Sequence, residues 1–148
     1  MHIWVDADAC PNPIKEILYR AAKRCNVPVT LVANHYLSIP ASPLIKFQQV
    51  ESGFDVADNY IARRVNPGDI VVTQDIPLAA EVIEKETEVI SPRGEHYTKA
   101  NIRQRLAMRN LMEELRSIGE VRGGPGTMTN VERQQFANVL DRLLVKKS

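Results

Sequence analysis

One stretch decides the fold of this chain: Ile3-Trp4-Val5-Asp6-Ala7-Asp8-Ala9-Cys10-Pro11. Three apolar residues lead directly into two carboxylates, and a short apolar run bounded by breaker residues is typical of a strand buried in a sheet. Asp6 and Asp8 then follow the carboxyl end of the strand, where open α/β sheets bind their ligands. Because alternate side chains of an extended chain point the same way, both carboxylates are expected at one crevice. In the alternative interpretation, Asp8 only caps the next helix and Asp6 is solvated.

The same design is repeated in a second stretch, Asp69-Ile70-Val71-Val72-Thr73-Gln74-Asp75. An apolar strand again ends close to a carboxylate, and Pro77 opens the helix that follows. If the two strands are neighbours in a parallel sheet, Asp6, Asp8 and Asp75 converge at one crevice.

Composition indicates an ordinary globular domain that occupies residues 1–148, with 44% hydrophobic and 25% charged residues. The net charge of +1 predicts no strong overall attraction to nucleic acid or to an anionic membrane. Seven arginines and lysines nevertheless lie between Arg93 and Arg122, which permits a basic surface beside an acidic pocket or simply a solvated helix face. No membrane span or signal peptide is apparent, and two cysteines without a disulfide framework favour a reducing cytoplasm.

Strand and helix patterns alternate along the chain, which predicts an α/β fold: a three-layer sandwich around a mainly parallel sheet of about five strands. Strands are predicted at Ile3–Val5, Val29–Ala33, Ile45–Val50, Ile70–Val72 and Glu88–Ile90. Helices are predicted at Asn12–Cys25, 54–65, Pro77–Ile83, Asn101–Ile118 and from a Thr129–Glu132 capping box through Leu144. The fourth of these helices has an apolar stripe that includes Ile102, Leu111 and Ile118, and residues 123–126 form a glycine-rich loop between the last two helices.

A carboxylate cluster is the predicted functional site. Asp55 and Asp58 lie three residues apart on one face of the helix that leads into the second acidic strand. Clustered aspartates without histidine or cysteine favour Mg²⁺ or Mn²⁺ over Zn²⁺. Such an ion offsets the mutual repulsion of the carboxylates, activates water and stabilises charge on a phosphate. The predicted metal ligands are Asp6, Asp8, Asp55, Asp58 and Asp75, and the predicted catalytic residues are Asp6, Asp8, Asp58 and Asp75.

Several polar and basic residues are predicted to bind substrate. Thr73 and Gln74 can add a ligand or hold a water, and Asn34, which precedes His35 after the second strand, can reach the crevice or satisfy its own loop. Arg93, Lys99 and Arg103 are candidates for neutralising substrate phosphates.

A family resemblance is carried by motifs along the whole chain: Asp6-Ala7-Asp8-Ala9-Cys10-Pro11, Asp55-Val56-Ala57-Asp58, Thr73-Gln74-Asp75-Ile76-Pro77-Leu78-Ala79, Pro92-Arg93-Gly94, Tyr97-Thr98 and Gly123-Gly124-Pro125. In these motifs the chain resembles the YaiI/YqxD family of bacterial proteins. That family is in turn similar to the PIN-like fold of metal-dependent nucleases. The resemblance implies that Asp6 ends the first strand, that Asp58 is the helix acid, and that Thr73 and Asp75 form the Thr-x-Asp pair of the acidic strand.

The leading hypothesis is therefore a Mg²⁺- or Mn²⁺-dependent phosphodiesterase, a nuclease that acts on RNA or DNA, with RNA the preferred partner and no membrane partner. An aspartyl phosphatase of the haloacid dehalogenase type is a second hypothesis, with Asp6 as nucleophile, Asp8 as general acid and Lys85 or Lys99 as the required lysine. A non-catalytic module that binds nucleic acid or protein is a third. It is suggested by the absence, in Ile76-Pro77-Leu78, of the further acidic residue that PIN nucleases usually carry.

Overall fold

The computed structural model describes residues 1–53, 55–119 and 128–147. Six strands form one sheet: β1 (Ile3–Asp6), β2 (Val29–Ala33), β3 (Ile45–Gln49), β4 (Ile70–Val72), β5 (Glu88–Ile90) and β6 (His96–Tyr97). Five α-helices accompany them: α1 (Asn12–Cys25), α2 (Val56–Arg64), α3 (Ile76–Ile83), α4 (Ile102–Ser117) and α5 (Asn130–Lys147). Asn12–Pro13 and Ile76–Pro77 each place a proline in a first helical turn, where its missing N–H costs nothing.

The strand order is β3-β2-β1-β4-β5-β6, and only β6 runs antiparallel to its neighbour. β1 therefore pairs with β2 on one side and with β4 on the other, so that Ile3 lies beside both Val29 and Ile70. The chain order reverses at this point, which is where open α/β sheets bind ligands. The predicted mainly parallel α/β sandwich is confirmed, with six strands instead of about five.

The core is divided by the sheet into two apolar clusters. Ile3 and Val5 of β1 pack with α1 and α5, while Trp4 packs with α2, α3 and the start of α4. This arrangement explains why the central strands read as continuous apolar runs, because both of their faces are buried. Within the described residues, no helix is both long enough and apolar enough to cross a membrane.

The apolar stripe of α4 is largely uncovered in the structure. Only Ile102 is buried, whereas Met108, Leu111 and Ile118 are 51%, 48% and 65% exposed. The helix is 16 residues long and packs mainly on α3, which has eight residues, so α3 cannot cover its second half. Two predictions, the first residue of the helix at 54 and the glycine-rich loop at 123–126, lie outside the described residues.

Asp69 joins the amino ends of β1 and β4. Its carboxylate is 4% exposed and accepts hydrogen bonds from His2 N (3.1 Å), Trp4 Nε1 (3.0 Å) and Asn66 N (2.9 Å). The His2 ring stacks on Trp4 with 4.3 Å between ring centroids. Three N–H donors satisfy this buried charge, so Asp69 has a structural role at the opposite end of the strands from Asp6 and Asp75.

Replacing Asp69 tests that role. Asp69→Asn puts an amide N–H against donors and weakens a buried charge-assisted network, so we expect a loss of about 1–3 kcal/mol in the free energy of unfolding. Urea unfolding measures it. Asp141→Asn is the control, because Asp141 is 54% exposed in its ion pair with Arg24 and should change stability by less than about 0.5 kcal/mol. Equal stability of the two variants would contradict the assignment.

The turn between β5 and β6 anchors α5. Gly94 has φ +89°, and a Cβ atom there would lie 2.7 Å from Phe136 N and 2.8 Å from Gln135 C. Arg93 pairs with Glu132 in the first turn of α5. The predicted capping box is confirmed, since Glu132 N donates to Thr129 Oγ1 (3.3 Å) and Thr129 N donates to Glu132 Oε1 (3.1 Å).

Gly94→Ala should therefore destabilise the protein through both a backbone clash and a left-handed conformation, by about 2–4 kcal/mol in urea unfolding. Gly119→Ala is a matched control, because Gly119 has φ +82° but no atom of the described residues lies within 4 Å of an added Cβ. Only the backbone cost of about 1 kcal/mol then remains. A Gly94→Ala variant no less stable than Gly119→Ala would show that α5 does not approach this turn closely.

Candidate functional site

One pocket of about 250 Å³ contains all five predicted aspartates. It lies at the carboxyl ends of β1 and β4, beside the first turn of α2. Its lining residues are Asp6, Asp8, Asn34, Glu51, Gly53, Asp55, Val56, Ala57, Asp58 and Asp75. The structure thus brings together carboxylates that lie up to 69 positions apart in the chain, and we call this group the aspartate pocket. Glu51 was not predicted, because a glutamate just before a turn carries no signal of its own.

Thr73 fixes the position of two of the carboxylates. Its Oγ1 donates to Asp6 Oδ2 (3.0 Å) and accepts from the backbone N of Asp75 (2.9 Å). The Thr73 side chain is fully buried, and its contacts position the carboxylate of Asp6 and the backbone of Asp75. Asp75 Oδ1 in turn accepts from Leu78 N (2.9 Å) as the N-cap of α3.

α2 brings two further carboxylates to the pocket. Asp58 lies in the first helical turn, and Asp55 precedes the helix with φ 64°, a left-handed conformation that aspartate adopts more readily than most residues. Asp58 is hydrogen-bonded to Asp75 through their side chains. Asp58 is the donor at this contact while it is protonated, since a carboxylate oxygen can only accept.

The electrostatics of the pocket agree with a shared proton. Burial, together with the hydrogen bond to Asp75 and the charges of Asp75, Asp6 and Asp55, raises the pKa of Asp58 to about 7. Burial and the charges of Asp75 and Asp8 also raise the pKa of Asp6, although the Thr73 hydrogen bond opposes this. The pocket lining includes no lysine, arginine or histidine among the described residues, so no cation of the chain offsets these charges there.

The Asp8 side chain contacts the loop after β2. Its Oδ2 and Oδ1 accept from the backbone N of Asn34 (3.0 and 3.2 Å), and its Oδ1 lies 2.7 Å from His35 Nδ1. Gln74 Nε2 donates to the carbonyl oxygen of Ala9 (2.9 Å) and so ties the loop after β4 to the loop after β1. Asn34 contacts Asp8 through its backbone N–H. The sequence did not identify His35 as a partner of Asp8.

A preassembled metal centre is not found. Among the described residues, no group of three or more aspartate, glutamate, histidine or cysteine side chains is arranged to hold a metal ion. The physical reason is visible in the contacts, because Asp8 is bonded to Asn34 and His35 and Asp58 shares a proton with Asp75. The donor set itself, several hard carboxylate oxygens at one opening, fits Mg²⁺ or Mn²⁺.

The three basic residues predicted to bind phosphate do not line the aspartate pocket. Arg93 pairs with Glu132 of α5. Lys99 pairs with Glu86 (3.0 Å) and lies near the amino end of β5, at the opposite end of the sheet. Arg103 is exposed in the first turn of α4. The structure therefore places none of them beside the carboxylates.

Comparison with known proteins identifies the family. The model of the uncharacterised bacterial YaiI/YqxD family matches residues 4–146. A UPF0178 protein of Aeromonas hydrophila is 60% identical over 146 residues, which cover 99% of this chain and 97% of that protein. A UPF0178 protein of Hahella chejuensis is 59% identical over 148 residues, which cover 100% and 99%. No solved structure matches the chain. The chain belongs to the YaiI/YqxD family.

The proton in the pocket makes stability depend on pH. The Asp58 pKa is raised from 3.8 to about 7 in the folded state, so folding binds a proton that the unfolded chain releases, and stability falls as pH rises from about 4 to 7. At pH 8 without divalent cations, Asp58→Asn removes this penalty. We expect its melting temperature to exceed that of the wild type by about 2–4 °C, roughly 1 kcal/mol after solvent screening.

The difference between the two proteins should disappear near pH 4, where the wild-type carboxyl is also neutral. Asp55→Asn serves as the control in the same pocket, since the Asp55 residue is exposed, and it should give a smaller increase. Thermal unfolding followed by circular dichroism measures all three proteins. An Asp58→Asn variant that is less stable than the wild type at pH 8 would contradict the shared proton.

Proposed function

We propose that this member of the YaiI/YqxD family is a Mg²⁺- or Mn²⁺-dependent phosphodiesterase that cleaves RNA or DNA, with RNA preferred, at the aspartate pocket. The observation that carries the proposal is the meeting of Asp6, Asp58 and Asp75 at the carboxyl ends of two neighbouring parallel strands. The raised pKa values of Asp6 and Asp58 support it, because perturbed carboxyl groups in a cleft are typical of functional sites.

The three residues Asp6, Asp58 and Asp75 are the proposed ligands of the ion. When bound, a divalent cation lowers the pKa of water and neutralises charge on a phosphate. Asp55 and Asp8, which line the same pocket, are proposed to contribute further oxygens or to orient water.

The chain itself supplies positioning and proton transfer. Thr73 and the N–H of Leu78 hold Asp6 and Asp75 in fixed orientations, which limits the reorganisation needed when a phosphate enters. Asp58 has a pKa of about 7, near the value that suits a group that accepts and releases a proton at neutral pH. Its carboxyl oxygen is the proposed proton acceptor when ion binding does not fully occupy it.

The aspartyl phosphatase alternative lacks its lysine among the described residues. Lys85 donates its Nζ to the carbonyl oxygen of Ala62, and Lys99 pairs with Glu86 at the opposite end of the sheet. Neither lines the aspartate pocket, where such a lysine must contact the nucleophile and the phosphate. The contacts therefore favour the phosphodiesterase.

Two substitutions test the proposal directly. Asp6→Asn and Asp75→Asn keep the shape of each side chain but remove its charge, so we expect both to lower Mn²⁺-stimulated cleavage of labelled RNA and DNA oligonucleotides by roughly 100-fold or more. Gel analysis of the products over time measures the rates. Asp141→Asn, an exposed aspartate on α5, should cleave like the wild type.

The same proteins separate catalysis from binding. If the wild type binds Mn²⁺ by calorimetry but cleaves no oligonucleotide, the phosphodiesterase proposal is wrong and the non-catalytic module is supported. If Asp75→Asn retains wild-type cleavage, the reaction takes place elsewhere on the protein.

A further inference from the structure

The connection after β2 is fixed against the aspartate pocket. Asn34 N and His35 Nδ1 both bond to the Asp8 carboxylate, at 3.0 and 2.7 Å. Two consecutive residues of the loop are therefore held by one side chain that follows β1. These two contacts also keep the backbone of the next residue, Tyr36, close to the pocket.

Tyr36 presents an aromatic ring to solvent at this place. The residue is 75% exposed, while its ring packs edge-on against Phe47 of β3, with 6.1 Å between centroids and 90° between planes. Phe47 and Leu37 in turn pack against the apolar cluster beneath. One side of the Tyr36 ring is thus supported by the core, and the rest is open to a ligand.

Chain length limits the distance between this ring and the pocket. Tyr36 lies two residues from Asn34, which lines the pocket, so the two Cα atoms are at most about 7 Å apart. A single exposed aromatic residue is ordinary on a protein surface. An exposed ring that packs against Phe47 and lies two residues from the pocket-lining Asn34 is informative, because exposed rings are the surfaces on which single-stranded nucleic acids stack their bases.

We propose that Tyr36 stacks on one base of a single-stranded nucleic acid whose neighbouring phosphate lies in the aspartate pocket. This inference rests on the proposed function and specifies its substrate. A base in a duplex is already stacked on both faces, whereas an unpaired base has a face free for Tyr36. The interaction selects single strands without reading their sequence, since every base has a π-face.

Equilibrium binding tests the stacking. Fluorescence anisotropy with a labelled single-stranded oligonucleotide, in Ca²⁺ to neutralise the pocket, compares the wild type with Tyr36→Ala and Tyr36→Phe. We expect Tyr36→Ala to weaken binding by roughly 5- to 100-fold, the range for loss of one base–aromatic stack, and Tyr36→Phe to stay within about threefold. Val131→Ala is the control, because Val131 is 74% exposed but lies on α5.

An oligonucleotide with abasic sites provides the decisive comparison. It should bind the wild type and Tyr36→Ala equally, because it offers no base to stack. Equal binding of the normal oligonucleotide by wild type and Tyr36→Ala overturns the inference, as does an undiminished loss with the abasic strand or no binding by the wild type at all.

Cleavage of an oligonucleotide made entirely of abasic residues, a phosphodiester without a base, separates this inference from the proposed function. With Mn²⁺, Tyr36→Ala should hydrolyse it like the wild type, while Asp75→Asn should not. If the wild type hydrolyses neither this abasic strand nor the normal oligonucleotide but its binding depends on Tyr36, the proposed function fails and the stacking site remains. If Tyr36→Ala loses hydrolysis of the abasic strand, Tyr36 acts on the pocket itself and the stacking assignment is wrong.

Discussion

The pairing of β1 with β4 is the interaction on which the rest of the structure depends. It brings a buried carboxylate to the amino ends of the strands and a group of carboxylates to their carboxyl ends. The carboxylates at the two ends of the strands have different hydrogen-bond partners. Asp69 receives three N–H donors and is satisfied, whereas Asp58 lies against Asp75, and burial and the neighbouring carboxylates raise its pKa to about 7. A buried carboxylate with its donors satisfied is typical of a structural role, while a carboxylate with a perturbed pKa in a cleft is typical of functional sites.

Ionisation of the aspartate pocket accordingly lowers the free energy of unfolding of the domain. Raised pKa values mean that ionising Asp6 and Asp58 costs free energy in the folded state. Well-satisfied contacts elsewhere offset this cost, such as the network at Asp69 and the close approach of Gly94 to α5.

Sequence patterns predicted the strands and the aspartates because both depend on local order. A parallel strand buried on two faces must be apolar throughout, and a carboxylate that follows it must lie at the carboxyl end of the sheet. The partners of long side chains depend on distant segments, so the pairs Arg93–Glu132 and Lys99–Glu86 had no local signal. The apolar spacing of α4 predicted a helix, but it carried no information about how far α3 extends beneath it. β6 has two residues, too few to form a pattern.

The outermost strands also affect whether copies of this protein can associate through their sheets. β3 carries exposed Lys46, Gln48 and Gln49, and β6 offers only two residues for pairing. Charged, polar or very short outer strands resist the addition of a foreign strand, which is the first step of aggregation through sheets. Strand addition between copies of this protein is therefore disfavoured at both edges of the sheet, which protects concentrated solutions against sheet polymerisation.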